Sequence, residues 1–184
     1  DRIREVSERP IAFDADRVID CGGRVLMPGL IDCHVHIFFT EWDLRRFESM
    51  PLTQLGARSV KVLRETLDRG FTSVRDAGGA DWGIKAALEE GYATGPRLFI
   101  AGRSIGQTGG HSDFRRPTAH EEPCACANAM AYSWAIVDGV DAVRRTAREQ
   151  LRLGAHALKL MMSGGVASPF DSLESRQLSD AEVS

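Results

Sequence analysis

Residues 27–36 read Met-Pro-Gly-Leu-Ile-Asp-Cys-His-Val-His and place two histidines, His34 and His36, at i and i+2 behind a Pro-Gly turn signal. On a strand those two side chains share one face, a few ångströms apart. Paired imidazoles on a rigid element make half of a divalent-metal site, because neutral histidine nitrogen suits zinc and related ions. The alternative is a packed pair with backbone partners. Asp32 falls on the same face of the strand, so it is open whether it orients an imidazole or steadies the strand end.

A second position with chemical potential is Lys159, inside the apolar run Ala-Leu-Lys-Leu-Met-Met. A strand buried on both faces would strip an ammonium of water, and a buried lysine loses its charge readily. A neutral lysine is nucleophilic enough to capture CO₂. The alternative is a side chain that reaches past the strand end to solvent.

These residues sit in a repeating pattern. From residue 30 onward, short apolar strands alternate with amphipathic helices, the mark of a parallel α/β domain. The expected strands are Leu30–Ile37, Phe71–Arg75, Arg97–Ala101 and Ala155–Met161. Helices are expected over Thr53–Arg69 (stripe Val60, Leu63, Leu67), Trp82–Glu90 and Asp138–Leu153 (stripe Val140, Val143, Ala147, Leu151). Gly70, Gly91 and Gly154 stand where these helices should stop. Ser179-Asp180-Ala181-Glu182 has the look of a capping box opening one more helix. Residues 1–27 read as a separate segment, with short strand candidates at Ile3–Val6 and Arg17–Asp20 and a tight turn at Gly22-Gly23.

Taken together, four stretches carry a family resemblance: Pro28–His36, Gly70–Gly79, Gly95–Gly102 and Ala157–Leu160. They resemble the first four strands of the amidohydrolase superfamily, metal-dependent hydrolases with a TIM-barrel core. The branch with the closest look holds Xaa-Pro and Xaa-Arg dipeptidases (prolidase-like), with imidazolonepropionase as a neighbour. The resemblance implies an α/β fold in which residues 28–184 supply the first four βα units of a (β/α)₈ barrel. Residues 1–27 would be part of a small β-sandwich beside it. A full barrel needs roughly 250 residues, and about 150 follow residue 30, so the chain reads as a fragment, the front half of such an enzyme.

For chemistry, the resemblance implies His34, His36 and Lys159 as metal ligands, the lysine as a CO₂-derived carbamate bridging two divalent ions, zinc in the first instance. Two such ions polarise a carbonyl and generate hydroxide at neutral pH. Two further histidines and an aspartate that acts as general base are expected beyond residue 184, so the fragment alone should be inactive. The expected activity is hydrolysis of the C–N bond of a dipeptide or N-acyl amino acid. The alternatives are a non-catalytic relative and a hydrolase of a cyclic amide such as imidazolonepropionate.

The connection from about Gly102 to Asp138 is far longer than the usual βα loop of roughly 2–6 residues. In it, His111, flanked by Gly109-Gly110, reads as a catalytic or substrate contact that could steady a developing oxyanion, or else as an ordinary loop histidine. Arg115 and Arg116 could grip a substrate carboxylate, or simply be solvated. Ser163, Gly164 and Gly165 follow Lys159 closely and are expected to line the pocket floor. His120 and His156 read as structural, and Trp42, Trp82 and Trp134 as packing residues.

Composition excludes several classes. The net charge of −3 and the lack of a basic run argue against nucleic acid. No apolar stretch approaches the roughly 20 residues of a membrane span, and no signal-peptide pattern opens the chain. Four cysteines, with Cys124 and Cys126 only two apart, do not resemble a secreted disulfide framework. The expected setting is the cytoplasm, with a small-molecule or dipeptide substrate and a homo-oligomeric parent protein.

Overall fold

The computed structural model describes residues 2–12, 14, 16–119, 129–168 and 170–184. Chain order runs β1 (Leu30–Val35), α1 (Leu44–Glu48), α2 (Leu52–Asp68), β2 (Phe71–Asp76), α3 (Trp82–Glu89) and β3 (Arg97–Phe99). It continues with β4 (Ser104–Gly106), α4 (Ala129–Ser133), β5 (Trp134–Ile136), α5 (Val140–Arg152) and α6 (Asp180–Val183). β1, β2 and β3 form a parallel sheet in that order, and β4 and β5 form a second parallel pair. The strand–helix alternation expected from the sequence is therefore present, with mixed α/β content and parallel pairing.

Helix ends follow local chemistry. Asp43 caps α1 by accepting from the amides of Arg45 and Arg46, and Asp81 caps α3 by accepting from Ile84. α6 opens with the expected capping box between Ser179 and Glu182. The expected stops at Gly70, Gly91 and Gly154 all adopt positive φ, at +94°, +82° and +89°, a conformation that glycine alone enters without cost.

The core lies between the sheet and α2 and α3. Phe47, Leu55, Leu63, Val74, Ile84, Leu98 and Ile100 are buried together. The inward face of α2 keeps Leu63 of the expected stripe, with Leu67 partly buried, but takes Ser59 in place of Val60. Leu55, Ser59 and Leu63 are buried while Val60 is exposed, because Ser59 satisfies its hydroxyl on the carbonyls of Leu55 and Ile37 and so tolerates the interior. The same happens on α5, where Gln150 is buried and Leu151 is exposed. Gln150 Oε1 accepts the amide of Arg103 at 2.8 Å, which offsets the cost of burying the amide side chain.

Two expectations are corrected. Residues 155–161 do not form a full fourth strand: Leu160 makes a single parallel bridge to Ile105. Two backbone bonds at 2.9 Å flank that bridge, Ile105 N–H to the Lys159 carbonyl and Met161 N–H to the Ile105 carbonyl. The partner strand β4 is three residues long, and a ladder cannot outrun its partner. Lys159 itself is half-buried. The second correction concerns residues 2–29. The Gly22-Gly23 turn forms, with φ of +56° and +76° and Arg24 N–H bonded to the Cys21 carbonyl. No strand flanks it among the described residues. Ile3, Val6, Val18, Val25 and Leu26 are all more than 80 % exposed, and a strand has no ladder without a partner.

The long connection after β3 is not structureless: it contains β4, α4 and β5. Among the described residues no helix is long and apolar enough to cross a membrane.

Candidate active site and metal centre

At the C-terminal end of β1 the imidazoles of His34 and His36 lie edge to face with ring centroids 5.3 Å apart. His36 Nδ1 is 2.9 Å from the Gly78 carbonyl. A proton on Nδ1, donated to that carbonyl, leaves Nε2 as a lone-pair donor for a metal, the arrangement usual for ligating histidines. His34 is held below the ordinary imidazole range, first by partial desolvation and then by the charges of Lys159, His36 and Arg75, with Asp32 opposing. A histidine kept neutral can ligate. Lys159 is thus close enough for its charge to act on His34. Asp32 accepts the His34 amide at 2.9 Å, so it steadies the backbone at the strand end. Among the described residues no group of three His, Cys, Asp or Glu comes together. The residues that could hold a metal are therefore the two imidazoles, with Lys159 beside them, and not a closed cage.

The turn behind His36 is organised by Asp76 at the end of β2, which sequence reasoning did not single out. Its carboxylate is fully buried. Oδ2 accepts the Ile37 amide at 2.6 Å, and Oδ1 accepts those of Gly78 at 2.9 Å and Ala80 at 3.2 Å. Burial pushes its pKa up to about 6, against the pull of those three amides and of His36. Gly78 has φ +132°, and a Cβ there would lie 1.9 Å from Ser104 Oγ. Only glycine lets the Gly78 carbonyl reach His36.

His36 and His111 line one cavity of about 140 Å³, walled by Phe39, Trp42, Phe47, Phe114 and Trp134. Phe39, Phe47 and Trp134 meet edge to face at 5.4–6.1 Å, and Phe114 lies 4.7 Å from Trp134. Trp134 therefore packs, as expected, and also forms part of the wall. Trp42 is 82 % exposed but stands edge-on to Phe39 at 5.1 Å.

The remaining candidates are placed as follows. His111 has Nδ1 3.4 Å from Asp171 Oδ2. Burial raises the Asp171 pKa, but hydrogen bonding from Ser168 and Gln177 together with the His111 imidazole outweighs it and holds the carboxyl below its ordinary value. Arg115 pairs bidentately with Asp113, at 2.8 Å and 2.7 Å, within the loop. Arg116 reaches Glu48 at 3.3 Å. Ser163 bridges Arg176, and the Gly164 amide bonds the Ser175 carbonyl, so both meet the 171–176 segment. A Cβ at Gly164 would lie 1.9 Å from the Ser172 carbonyl oxygen. Met161 and Ala167 line the cavity instead, and Gly165 lies beneath the His111 ring. His156 is structural: its amide and Nδ1 both bond Ile100. His120, Cys124 and Cys126 lie outside the described residues. Cys33 is an exposed free thiol.

Comparison with known proteins agrees with this reading of the strands. Ochratoxinase from Aspergillus niger is 36% identical over 169 residues, covering 86% of this chain and 35% of its own length. A crystal structure of an amidohydrolase superposes with a TM-score of 0.89 at 46% identity, over 98% of this chain and 44% of that one. A prolidase crystallised with N-methylphosphonate-L-proline gives a TM-score of 0.89 at 44% identity, over 97% of this chain and 44% of that one. The chain thus spans between a third and a half of the length of these relatives. The Amidohydrolase family model matches residues 25–184, His34, His36, Asp76, His111 and Lys159 included. The chain belongs to the Amidohydrolase family.

Proposed function

We propose that this chain contributes two metal-binding histidines and one wall of the substrate site to a metal-dependent hydrolase. Its substrate would be the amide bond of a dipeptide or N-acyl amino acid. The observation that carries this reading is the double role of His36. Its Nδ1 is committed to Gly78, leaving Nε2 for a metal, and the same ring lines the aromatic cavity. Likeness to a prolidase and to ochratoxinase supports an amide substrate.

His34 and His36 would hold one divalent ion, zinc by ligand type, and Lys159 would help hold a second only as a CO₂ adduct, formed when its ammonium gives up a proton and the amine adds to CO₂ with loss of another. Bound there, divalent ions supply Lewis acidity toward a carbonyl oxygen and lower the pKa of water. The chain's own residues do the rest. The aromatic wall takes an apolar group of the substrate and excludes water; a cavity of roughly 150 Å³ is enough for a benzene ring. His111, across the cavity from His36, meets the polar end of the substrate. Arg115 would meet a substrate carboxylate only by loosening its fork on Asp113. In this reading the strands described above are the first part of a (β/α)₈ barrel.

The test is elemental analysis of the protein carrying this chain, together with hydrolysis of a panel of Xaa-Pro and N-acyl amino acids. Stoichiometric zinc that falls on His34→Ala and His36→Ala, with turnover lost in both, is expected. Absence of stoichiometric metal overturns the reading. Metal without turnover of any amide points to a non-catalytic relative.

A further inference from the structure

Asp171 lies outside every sequence motif, yet its side chain is 2 % exposed and its Oδ2 stands 3.4 Å from His111 Nδ1. The same Oδ2 accepts a hydrogen bond from Gln177 Nε2 at 3.0 Å. Gln177 Oε1 in turn accepts the backbone amide of His111 at 2.8 Å. One glutamine, 1 % exposed, therefore grips both the main chain of His111 and the carboxylate that faces its ring. The segment holding Gln177 is itself pinned. Leu178 is buried at φ +50°, with its amide donating to Gln107 Oε1 at 2.8 Å. A non-glycine residue in that region costs about 1–3 kcal/mol and persists only where its surroundings over-determine it. The ring also needs Gly165, where a Cβ would fall 2.3 Å from His111 Cε1 and 2.5 Å from Nε2.

These contacts converge on one imidazole in a loop, more than a solvated histidine would need. We infer that Asp171, held by Gln177, is a positioning residue for His111. Its carboxylate accepts the Nδ1 proton and fixes the ring so that Nε2 serves the cavity shared with His36. Nδ1 is buried and makes no hydrogen bond in this structure, with Asp171 Oδ2 standing at 3.4 Å, so Nε2 is the nitrogen left for a ligand. It accepts a hydrogen bond when the ring is neutral and donates one when the ring holds a second proton. A carboxylate behind an imidazole setting the tautomer seen by the substrate is a recurring catalytic arrangement. What meets Nε2 rests on the hydrolase reading; the state of the ring does not.

The experiment labels the histidines of the protein carrying this chain with ¹⁵N and reads the ring nitrogens by NMR. The His111 signal is assigned by its loss in His111→Gln. Neutral His111 is expected as the Nδ1–H tautomer. Asp171→Asn, whose amide can donate to Nδ1, is expected to move it to the Nε2–H tautomer while other histidine signals stay. A wild-type ring protonated at Nε2 overturns the inference with no variant needed. Kinetics add a second readout: kcat/KM on any amide substrate that is turned over should fall on the order of tenfold or more in Asp171→Asn. A switched tautomer with unchanged kcat/KM overturns the positioning role. If no amide is hydrolysed, the proposed function fails and the tautomer result decides the inference alone.

Discussion

Asp76 Oδ2 accepts the main-chain amide of Ile37 at 2.6 Å, so the end of β2 holds the residue that directly follows His36. Through its other oxygen the same carboxylate holds Gly78, whose carbonyl receives His36 Nδ1. One buried side chain therefore fixes the imidazole from both directions. This is how a parallel sheet orients an imidazole: the strands set the spacing, and a carboxylate between their ends sets the angle.

Replacing Asp76 by Ala should leave the amides of Ile37, Gly78 and Ala80 buried without an acceptor. Each such loss costs about 1–3 kcal/mol. We expect a destabilisation of at least ~3 kcal/mol in urea unfolding, with weaker zinc binding in whatever fraction stays folded. An Asp76→Ala protein as stable as wild type would show that these amides find other partners.

Gly165→Ala probes His111 from beneath. The added methyl would meet the ring at 2.3 Å, far inside van der Waals contact, and the imidazole must swing away. Turnover should drop by about tenfold or more, since small misplacements at a reacting centre are costly. Zinc content should stay unchanged, because the side chain nearest to residue 165 is His111 rather than His34 or His36. Loss of metal together with activity would mean that residue 165 acts on the whole site.

Much of this was legible from residue types. The His-x-His strand, the helix stops at three glycines and the capping box at Ser179 all depend on local chemistry. What was not legible depends on side chains meeting across the fold. Ser59 and Gln150 shift the buried face of α2 and α5 because a hydroxyl and an amide find backbone partners, which no apolar stripe reveals. Asp171 and Gln177 lie sixty or more residues from His111, beyond the reach of any motif. β4 and β5 are three residues each, too short to read as strands. Asp76, followed by Ala-Gly-Gly at a strand end, was the one missed position with a visible signal.

Asp113 gives a pH prediction. Burial raises its pKa, but the Arg115 guanidinium and the amides of Gly109 and Arg115 outweigh it and hold it below the ordinary 3.8. A carboxyl depressed in the folded state adds stability that is fully present above its unfolded pKa. That stability is lost as pH falls through the folded value. Wild type should therefore melt above Asp113→Asn at pH 5 to 7, and the gap should close as pH drops below about 4. A gap that is constant with pH would mean the carboxylate acts through shape rather than charge.

The last prediction concerns residues 1–184 as an isolated polypeptide. Among the described residues β1 and β3 each have one neighbour in their sheet, so two rows of backbone donors and acceptors stand open, a template for association. The apolar side chains beside them are uncovered as well: Ile31 is 69 % exposed, Phe99 44 % and Leu30 40 %. The described residues bring no third His, Cys, Asp or Glu to a metal, and two imidazoles alone bind zinc weakly compared with the usual three or four ligands. The isolated polypeptide should aggregate at micromolar concentration, bind zinc weakly and sub-stoichiometrically, and show no turnover of Xaa-Pro dipeptides above a zinc-only blank. Light scattering, zinc titration and a dipeptide assay with added bicarbonate check the three parts. Turnover above that blank, abolished by His34→Ala, would show that these residues build a complete catalytic site unaided.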